Sequence, residues 1–228
     1  MYVYKGSENI MKPRKESGQV AGQFFMLFVF LQIFSTINFD LIMQYVQKQT
    51  KSLMIITIAF SLICIVGIMA VSKKFNIWDG KIRITKKQAL IIIFGFLAVK
   101  VVAFAGGFLM YNVLGQNAPE DSTQLLEGFQ DLPKFLYATC YGVASPIMEE
   151  NFYRGGFINI LFEDKKIIGL ILGSFLFSFF HGITNPTLFL FNLFIGLIIG
   201  LSYILSEQIE VPIVIHVLHN LSSIIFIF

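Results

Sequence analysis

The sequence predicts an all-α protein, a polytopic transmembrane helical bundle of seven spans with room for an eighth. Three observations predict it. Apolar residues make up 56% of the 228 and charged residues only 14%, against roughly 25% charged in an average soluble domain. Apolar runs of about 20 residues, the length that crosses a bilayer, recur along almost the whole chain. Lys and Arg concentrate in alternate connections between those runs, as the positive-inside rule requires of a membrane protein.

The elements follow in order. A polar, basic tail, residues 1–21, precedes a single membrane domain, residues 22–228. The first apolar run, from about Gly22 to Met43, is too long for a signal-peptide core and lacks a small-residue cleavage site, so it reads as a retained span. The remaining spans fall at about 53–72, 89–113, 134–156, 167–183, 187–205 and 212–227. The fourth is expected to continue as helix through RGGFINILF up to Phe162, which keeps an apolar face. STQLLEGFQD, residues 121–130, looks amphipathic and is the place for a short eighth, interfacial helix. Pro212 suits the first turn of the last helix, where its missing N–H costs nothing. Two small-xxx-small patterns, Gly169 to Gly173 and Gly196 to Gly200, would let helix backbones approach closely in lipid.

Charge sets the expected orientation. Lys5, Lys12, Arg14 and Lys15 lie in the tail. Lys73, Lys74, Lys81, Arg83, Lys86 and Lys87 lie in the second loop, and Arg154, Lys165 and Lys166 near the fourth. The third loop, NAPEDSTQLLEGFQD, has neither Lys nor Arg. The N-terminus is therefore expected in the cytoplasm, with Lys48 and Lys51 of the first loop a mild exception. The net charge of +3 is small, and no nucleic-acid partner is expected. Cys64 and Cys140 both sit in apolar segments and support neither a disulfide framework nor a cysteine metal site. Richness in Phe, Ile and Lys suggests a low-GC bacterial source, and the expected location is the plasma membrane.

The polar residues inside the spans carry the functional question. A Glu at the centre of a membrane helix costs about 2.5–3.5 kcal/mol on insertion scales, yet SPIMEENFYRGG carries two. Glu150 and Arg154 stand four apart with the acid first, so they can pair on one helix face. Glu149 points about 100° away and must find a partner on another helix or hold a proton. The three histidines all lie in the last fifty residues. His181 is near the end of the fifth span, and His216 and His219 are in the last, where Asn220 shares a face with His216. Asn192 adds a polar group to the sixth span. Polar groups on separate, otherwise apolar helices suggest one convergent site. Counting along straight helices, however, leaves His181 about 10 Å deeper than Glu149 and His216, unless helices tilt or the span limits near 163–170 move.

Glu plus His can activate a water as base and orienter, and His plus Asn can donate to a developing oxyanion. These are parts of a hydrolase acting on an amide or ester carbonyl. There is no GxSxG and no HExxH. Glu149, His181 and His216 could still ligate zinc, so the residues alone leave a metal-bound water and a Glu/His-bound water both open. Two other classes stay in view. One is a non-catalytic membrane immunity or scaffold protein. The other is an ion-coupled transporter, for which Lys100, midway through the third span, offers a relay group. Otherwise Lys100 snorkels or pairs with an acid such as Asp40 or a site glutamate. No inverted repeat of the transporter kind is visible.

Glu149-Glu150-x-x-x-Arg154, then Phe177-x-x-x-His181, then His216-x-x-x-Asn220 resemble, in order and spacing, the CPBP family of intramembrane proteases. That family, also called the Abi or CAAX-protease family, includes type II CAAX prenyl endopeptidases and many bacterial relatives. The resemblance covers about residues 134–228, which would be the catalytic core. It implies that Glu149 activates the hydrolytic water with His181, and that Glu150 supports the site. Arg154 would hold the glutamates, and His216 and Asn220 would stabilise the oxyanion. Phe177 and Tyr153 would shape the substrate pocket. His219 falls outside the motif and is expected to be a hydrogen-bonded packing residue. The family is often labelled a metalloprotease, but a glutamate-dependent mechanism with no cofactor, zinc being the alternative, fits the same residues. The implied setting is maturation of a bacteriocin or pheromone peptide, or self-immunity, in a low-GC Gram-positive bacterium. The peptide substrate would arrive from the membrane or from the cytoplasmic face.

Overall fold

The computed structural model of the chain describes residues 16–115, 132–183 and 185–227, with side chains through Ser222. The basic tail before Glu16 and the amphipathic stretch at 121–130 lie outside the described residues. Among the described residues the secondary structure is helical throughout, in seven helices. They are α1 (Ser17–Lys48), α2 (Lys51–Lys74), α3 (Lys86–Phe108, ending in a wide π turn, Leu109–Val113) and α4. Then come α5 (Lys166–Gly182), α6 (Pro186–Ser206) and α7 (Glu210–Ile227). α4 is one continuous helix of four abutting pieces: α-helical Lys134–Tyr137, π-helical Ala138–Ala144, α-helical Ser145–Glu150 and π-helical Asn151–Leu161.

Each helix starts and stops for a local reason. The Thr50 side chain accepts from the Leu53 N–H at the start of α2. Thr85 and Gln88 form a reciprocal capping box at the start of α3, which satisfies two otherwise orphaned donors. Asn185 accepts from the N–H groups of Thr187 (2.9 Å) and Leu188 (3.1 Å), and Pro186 follows as the first residue of α6. Gln49 and Glu207 end α1 and α6 in the left-handed conformation. Pro212 lies in the first turn of α7, as its chemistry requires.

The bundle has the polarity of a protein in lipid. The buried stripe of α2 is Thr57, Ser61, Cys64, Ile68 and Ser72, while Ile55, Ile56, Ile63 and Val66 face outward. In water that arrangement would be inverted. In hydrocarbon it costs nothing to expose isoleucine, and small inward residues allow close packing. Four helices (α1, α2, α3 with its π turn, and α6) are long and apolar enough to cross a membrane, and α5 is a shorter apolar helix. The chain is thus a multi-pass membrane protein. Cys64 and Cys140 are both free and buried.

α4 is the hub, packed by α1, α2, α5 and α7. Both glycine pairs lie at close approaches. A Cβ on Gly169 would come 2.7 Å from the carbonyl oxygen of Phe157, and one on Gly173 would come 2.8 Å from that of Tyr153, so α5 lies directly on the backbone of α4. A Cβ on Gly196 would meet Ser174 of α5 at 3.2 Å, and one on Gly200 would strike Leu170. The four glycines therefore fix α4, α5 and α6 as a tight trio. The two ends of the bundle are also tied. Near the α2–α3 loop, Lys166 faces Glu207 at 3.8 Å and the Trp78 indole donates to Glu210 at 2.9 Å. At the opposite end, Ser178 of α5 donates to the Phe189 carbonyl of α6 beside their turn.

Candidate active site

The site is assembled where α4, α5 and α7 meet. Glu149 and Glu150 occupy the short α-helical piece of α4 between two π-helical stretches. Wide π turns of this kind recur at functional sites. Glu150 faces inward and is 0% exposed. Its Oε1 accepts from Arg154 Nη1 at 3.0 Å and from His216 Nδ1 at 2.7 Å. Arg154 is 2% exposed, and its Nη2 donates to the Gly196 carbonyl at 2.8 Å. Its guanidinium carbon also lies 5.3 Å from the Phe177 ring centroid, a cation–π distance. The pairing expected from the four-residue spacing is present, and a carbonyl from α6 and an imidazole from α7 complete it. A buried charge pair requires partners of this kind; those of Glu150 both meet Oε1, and its Oε2 has none among the described residues. Among the described residues the carboxylate partner of Arg154 is Glu150, so the guanidinium does not also hold Glu149.

Glu149 is half-open, with its side chain 13% exposed. Its Oε1 accepts from Ser145 Oγ at 2.5 Å, one turn earlier on α4. Its Oε2 lies 3.7 Å from His181 Nε2 and 3.9 Å from His216 Nε2, and makes no direct hydrogen bond among the described residues. The two rings are oriented alike. His181 Nδ1 is 2.7 Å from the Phe177 carbonyl oxygen, which can only accept, so Nδ1 carries the hydrogen. His216 Nδ1 likewise donates to Glu150. Both Nε2 atoms are therefore left to converge on Glu149 Oε2. Separations of 3.7–3.9 Å are too long for a direct bond and suit one shared atom between the groups.

The walls are aromatic. Phe177 stacks on His181 (4.2 Å between centroids), meets His216 edge-on (5.7 Å) and packs against Tyr153 (5.4 Å). It therefore touches both imidazoles and also holds one of them by its own carbonyl. Asn220 donates to the Tyr141 carbonyl at 2.9 Å, which ties α7 to the first π-helical stretch of α4. Asn192 donates to the His181 carbonyl at 3.4 Å.

The expected depth mismatch of His181 does not occur. Glu149 lies 12 residues before Leu161, and His181 lies 15 residues after Lys166. His181 Nε2 comes within 3.7 Å of Glu149 Oε2, so the two side chains meet at one level of the bundle. The fourth helix runs to Leu161, close to the expected Phe162, and the reversal is counted from there and not from the span limit at 156. The structure also places His219 and Lys100. His219 stands about 60° around α7 from His216 and misses Glu150. Its Nδ1 has no hydrogen-bond partner among the described residues. Lys100 has no acidic partner among the described residues, and its Nζ lies 5.9 Å from the Phe96 centroid. Ser145 was missed, although its place four residues before Glu149 is the signal that could have found it.

Glu149, His181 and His216 are the residues zinc would use. Ligand atoms at ~2.1 Å around a tetrahedral zinc stand roughly 3.4 Å apart, closer than the 3.7 and 3.9 Å seen between these groups. Among the described residues no group of three or more His, Cys, Asp or Glu is disposed to hold a metal ion.

A helical membrane bundle that gathers carboxylates and imidazoles around one point is an arrangement that an intramembrane hydrolase would need. Residues 131–222 match a family model described as Type II CAAX prenyl endopeptidase Rce1-like. The match covers less than half of the chain, and it is the stretch that holds α4 to α6, most of α7 and every residue of the three motifs. The resemblance read from those motifs is thereby shown, and the match supports a CAAX-type intramembrane endopeptidase. No curated protein matches the chain, and no solved structure does.

Proposed function

We propose that this chain is a glutamate-dependent intramembrane endopeptidase in which Glu149 and His181 activate the water that hydrolyses a peptide bond. The observation that carries the reading is the convergence of two imidazole Nε2 atoms on Glu149 Oε2, at 3.7 and 3.9 Å. A water between these groups would donate one hydrogen to Glu149 Oε2 and the other to His181 Nε2. Its remaining lone pairs would face the scissile carbonyl carbon. Glu149 takes the proton as the oxygen–carbon bond forms, and later passes it to the leaving amine as the carbon–nitrogen bond breaks. Proton transfer of this kind contributes typically about 10²–10⁴ in rate.

The oxyanion falls to His216 and Asn220, which share one face of α7. With Nδ1–H held by Glu150, His216 donates from Nε2 only as imidazolium, and its charge then lies against Glu150. Glu150 and Arg154 position that ring. Phe177 positions His181 and, with Tyr153, lines the pocket. The resemblance favours a bacterial peptide as substrate, of the bacteriocin or pheromone type, or a role in self-immunity. The lysine and arginine distribution favours a cytoplasmic N-terminus in the plasma membrane.

Comparing peptides from cells with and without the active protein names the substrate as the peptide that changes length. In a cleavage assay on that peptide, Glu149→Ala and His181→Ala should each lower the rate by about 10²–10⁴. Asn220→Ala should lower it by about 10²–10³, as for one lost oxyanion donor. Unchanged cleavage by folded Glu149→Ala protein ends the proposal, and a cellular phenotype that survives the substitution indicates a scaffold.

A further inference from the structure

We propose that the cleft between α3 and α6 binds one anionic phospholipid, with an acyl chain between the two helices and the headgroup on Lys87. Binding of this lipid does not depend on the hydrolytic reading.

The cleft follows from how the two helices meet. They run antiparallel: Gly106 of α3 lies against Phe191 of α6, and Lys87 of α3 shares a cleft with Leu205 of α6. At the first of these points the contact is tight, since a Cβ on Gly106 would come 2.6 Å from the Phe191 ring. Towards the α2–α3 loop the helices leave about 590 Å³ between them, within the roughly 300–1,000 Å³ of ordinary ligand pockets. The walls are Leu90, Ile91 and Phe94 of α3 and Ile198, Leu201 and Leu205 of α6. Ser202 adds a hydroxyl, but it donates to the Ile199 carbonyl of its own helix at 2.6 Å. Below Lys87 the cleft therefore offers hydrocarbon surface and no free hydrogen-bond donor. From Lys87 to Gly95 it spans about 12 Å of helix. One leaflet of a ~30 Å hydrocarbon core is about 15 Å deep. These dimensions suit one acyl chain in the leaflet next to the α2–α3 loop.

The mouth of the cleft is cationic. Lys87 lines it, Lys86 precedes it, and Lys81 and Arg83 stand in the loop just before α3; all four are exposed. Arg83 faces Asp79 at 3.5 Å. The three lysines have no carboxylate partner among the described residues. The acids where α6 ends and α7 begins are engaged elsewhere, Glu207 with Lys166 at 3.8 Å and Glu210 with the Trp78 indole at 2.9 Å. Ile82 and Ile84 alternate with the cations of the loop and are also exposed. Such a segment is stable where its apolar side chains enter lipid and its charges meet headgroups. The Lys87 ammonium then stands where the acyl cleft reaches the headgroup layer. It favours an anionic lipid over a zwitterionic one, whose own ammonium offsets its phosphate.

Native mass spectrometry of the whole chain, released from detergent micelles, tests this. The probes are phosphatidylglycerol and phosphatidylcholine with the same acyl chains. The parent is expected to keep one phosphatidylglycerol and to bind it about fivefold or more tighter than phosphatidylcholine, the factor that one lysine near an anionic headgroup supplies. Lys87→Gln should remove about that factor and leave phosphatidylcholine binding unchanged. Leu201→Trp and Leu90→Trp fill the cleft from opposite walls, at positions exposed enough to spare the core. Each should abolish retention of the lipid, and either decides should the other fail to assemble. Ile63→Trp, on the outer face of α2, should leave retention as it is. Equal retention of both lipids by the parent overturns the proposal. So does a cleft-filled variant that holds phosphatidylglycerol as the parent does. A two-chain species that Leu201→Trp dissolves would make a second copy the occupant, and would overturn it as well.

Discussion

Replacing Ser145 by alanine removes one hydrogen bond from the site and little else. The serine Oγ donates to Glu149 Oε1 at 2.5 Å along a single helix, which leaves Oε2 aimed at the two imidazoles. A hydrogen bond to a charged group contributes about 1.5–3 kcal/mol. At about 1.36 kcal/mol per tenfold in rate, a loss felt wholly in the transition state would slow cleavage about 10- to 150-fold. The site is partly open and water can replace the hydroxyl, so the lower figure applies: about a tenfold fall in kcat, with KM unchanged. Ser145→Thr keeps the hydroxyl and should restore most of the rate. The assay is cleavage of the identified peptide by reconstituted protein under single-turnover conditions. An alanine variant as fast as the parent refutes the reasoning. An acyl-enzyme trapped on Ser145 by hydroxylamine refutes it differently, since the serine would then be the nucleophile and not a positioning residue.

Breaking a buried ion pair by removing one partner costs about 3–5 kcal/mol. Arg154→Met and Glu150→Gln should each reach that range in thermal unfolding in lipid nanodiscs. Because the two contact each other, the double variant should cost less than the sum, with about 0.5–3 kcal/mol of coupling. Additive costs would show that the pair does not act as a unit. At Gly173 a Cβ already lies 2.8 Å from the Tyr153 carbonyl, so Gly173→Leu should destabilise by about 1–3 kcal/mol or more. It should also slow cleavage by lifting α5, and with it His181, off α4. Gly107 has nothing within 4 Å of the same position. Gly107→Leu should therefore leave stability and cleavage unchanged, and equal damage at both glycines would refute the packing argument.

Much of the fold was legible because lipid imposes a simple demand. Each span needs about 20 apolar residues and its own backbone hydrogen bonds, so the runs of Phe, Ile and Leu marked seven helices before any coordinate. Local spacing was equally readable: Glu150 and Arg154 pair as four-residue neighbours must, and the small-xxx-small glycines do sit at helix contacts. Rotation and depth were harder. An α-helix turns about 100° per residue, but α4 has π-helical stretches on both sides of Glu149 and Glu150, and these shift the phase of every residue beyond them. That is why spacing along the chain did not show that Glu150, and not Glu149, holds His216 directly. Lys100 and His219 escaped for a related reason. Sequence can mark a polar residue inside a span, but not what the neighbouring helix places opposite it.

The sequence by itself determined that the chain lives in a membrane, where its apolar helices run, and which polar groups must be sheltered there. Those are properties of single segments against solvent, and hydropathy decides them. Only the tertiary structure decided that a carboxylate of α4 meets imidazoles from α5 and α7. Glycine contacts set those helices at one depth, and carbonyls of Phe177, Gly196 and Tyr141 fix the side chains that reach across. Such pairings join residues up to 79 positions apart, and no pattern along one helix encodes them.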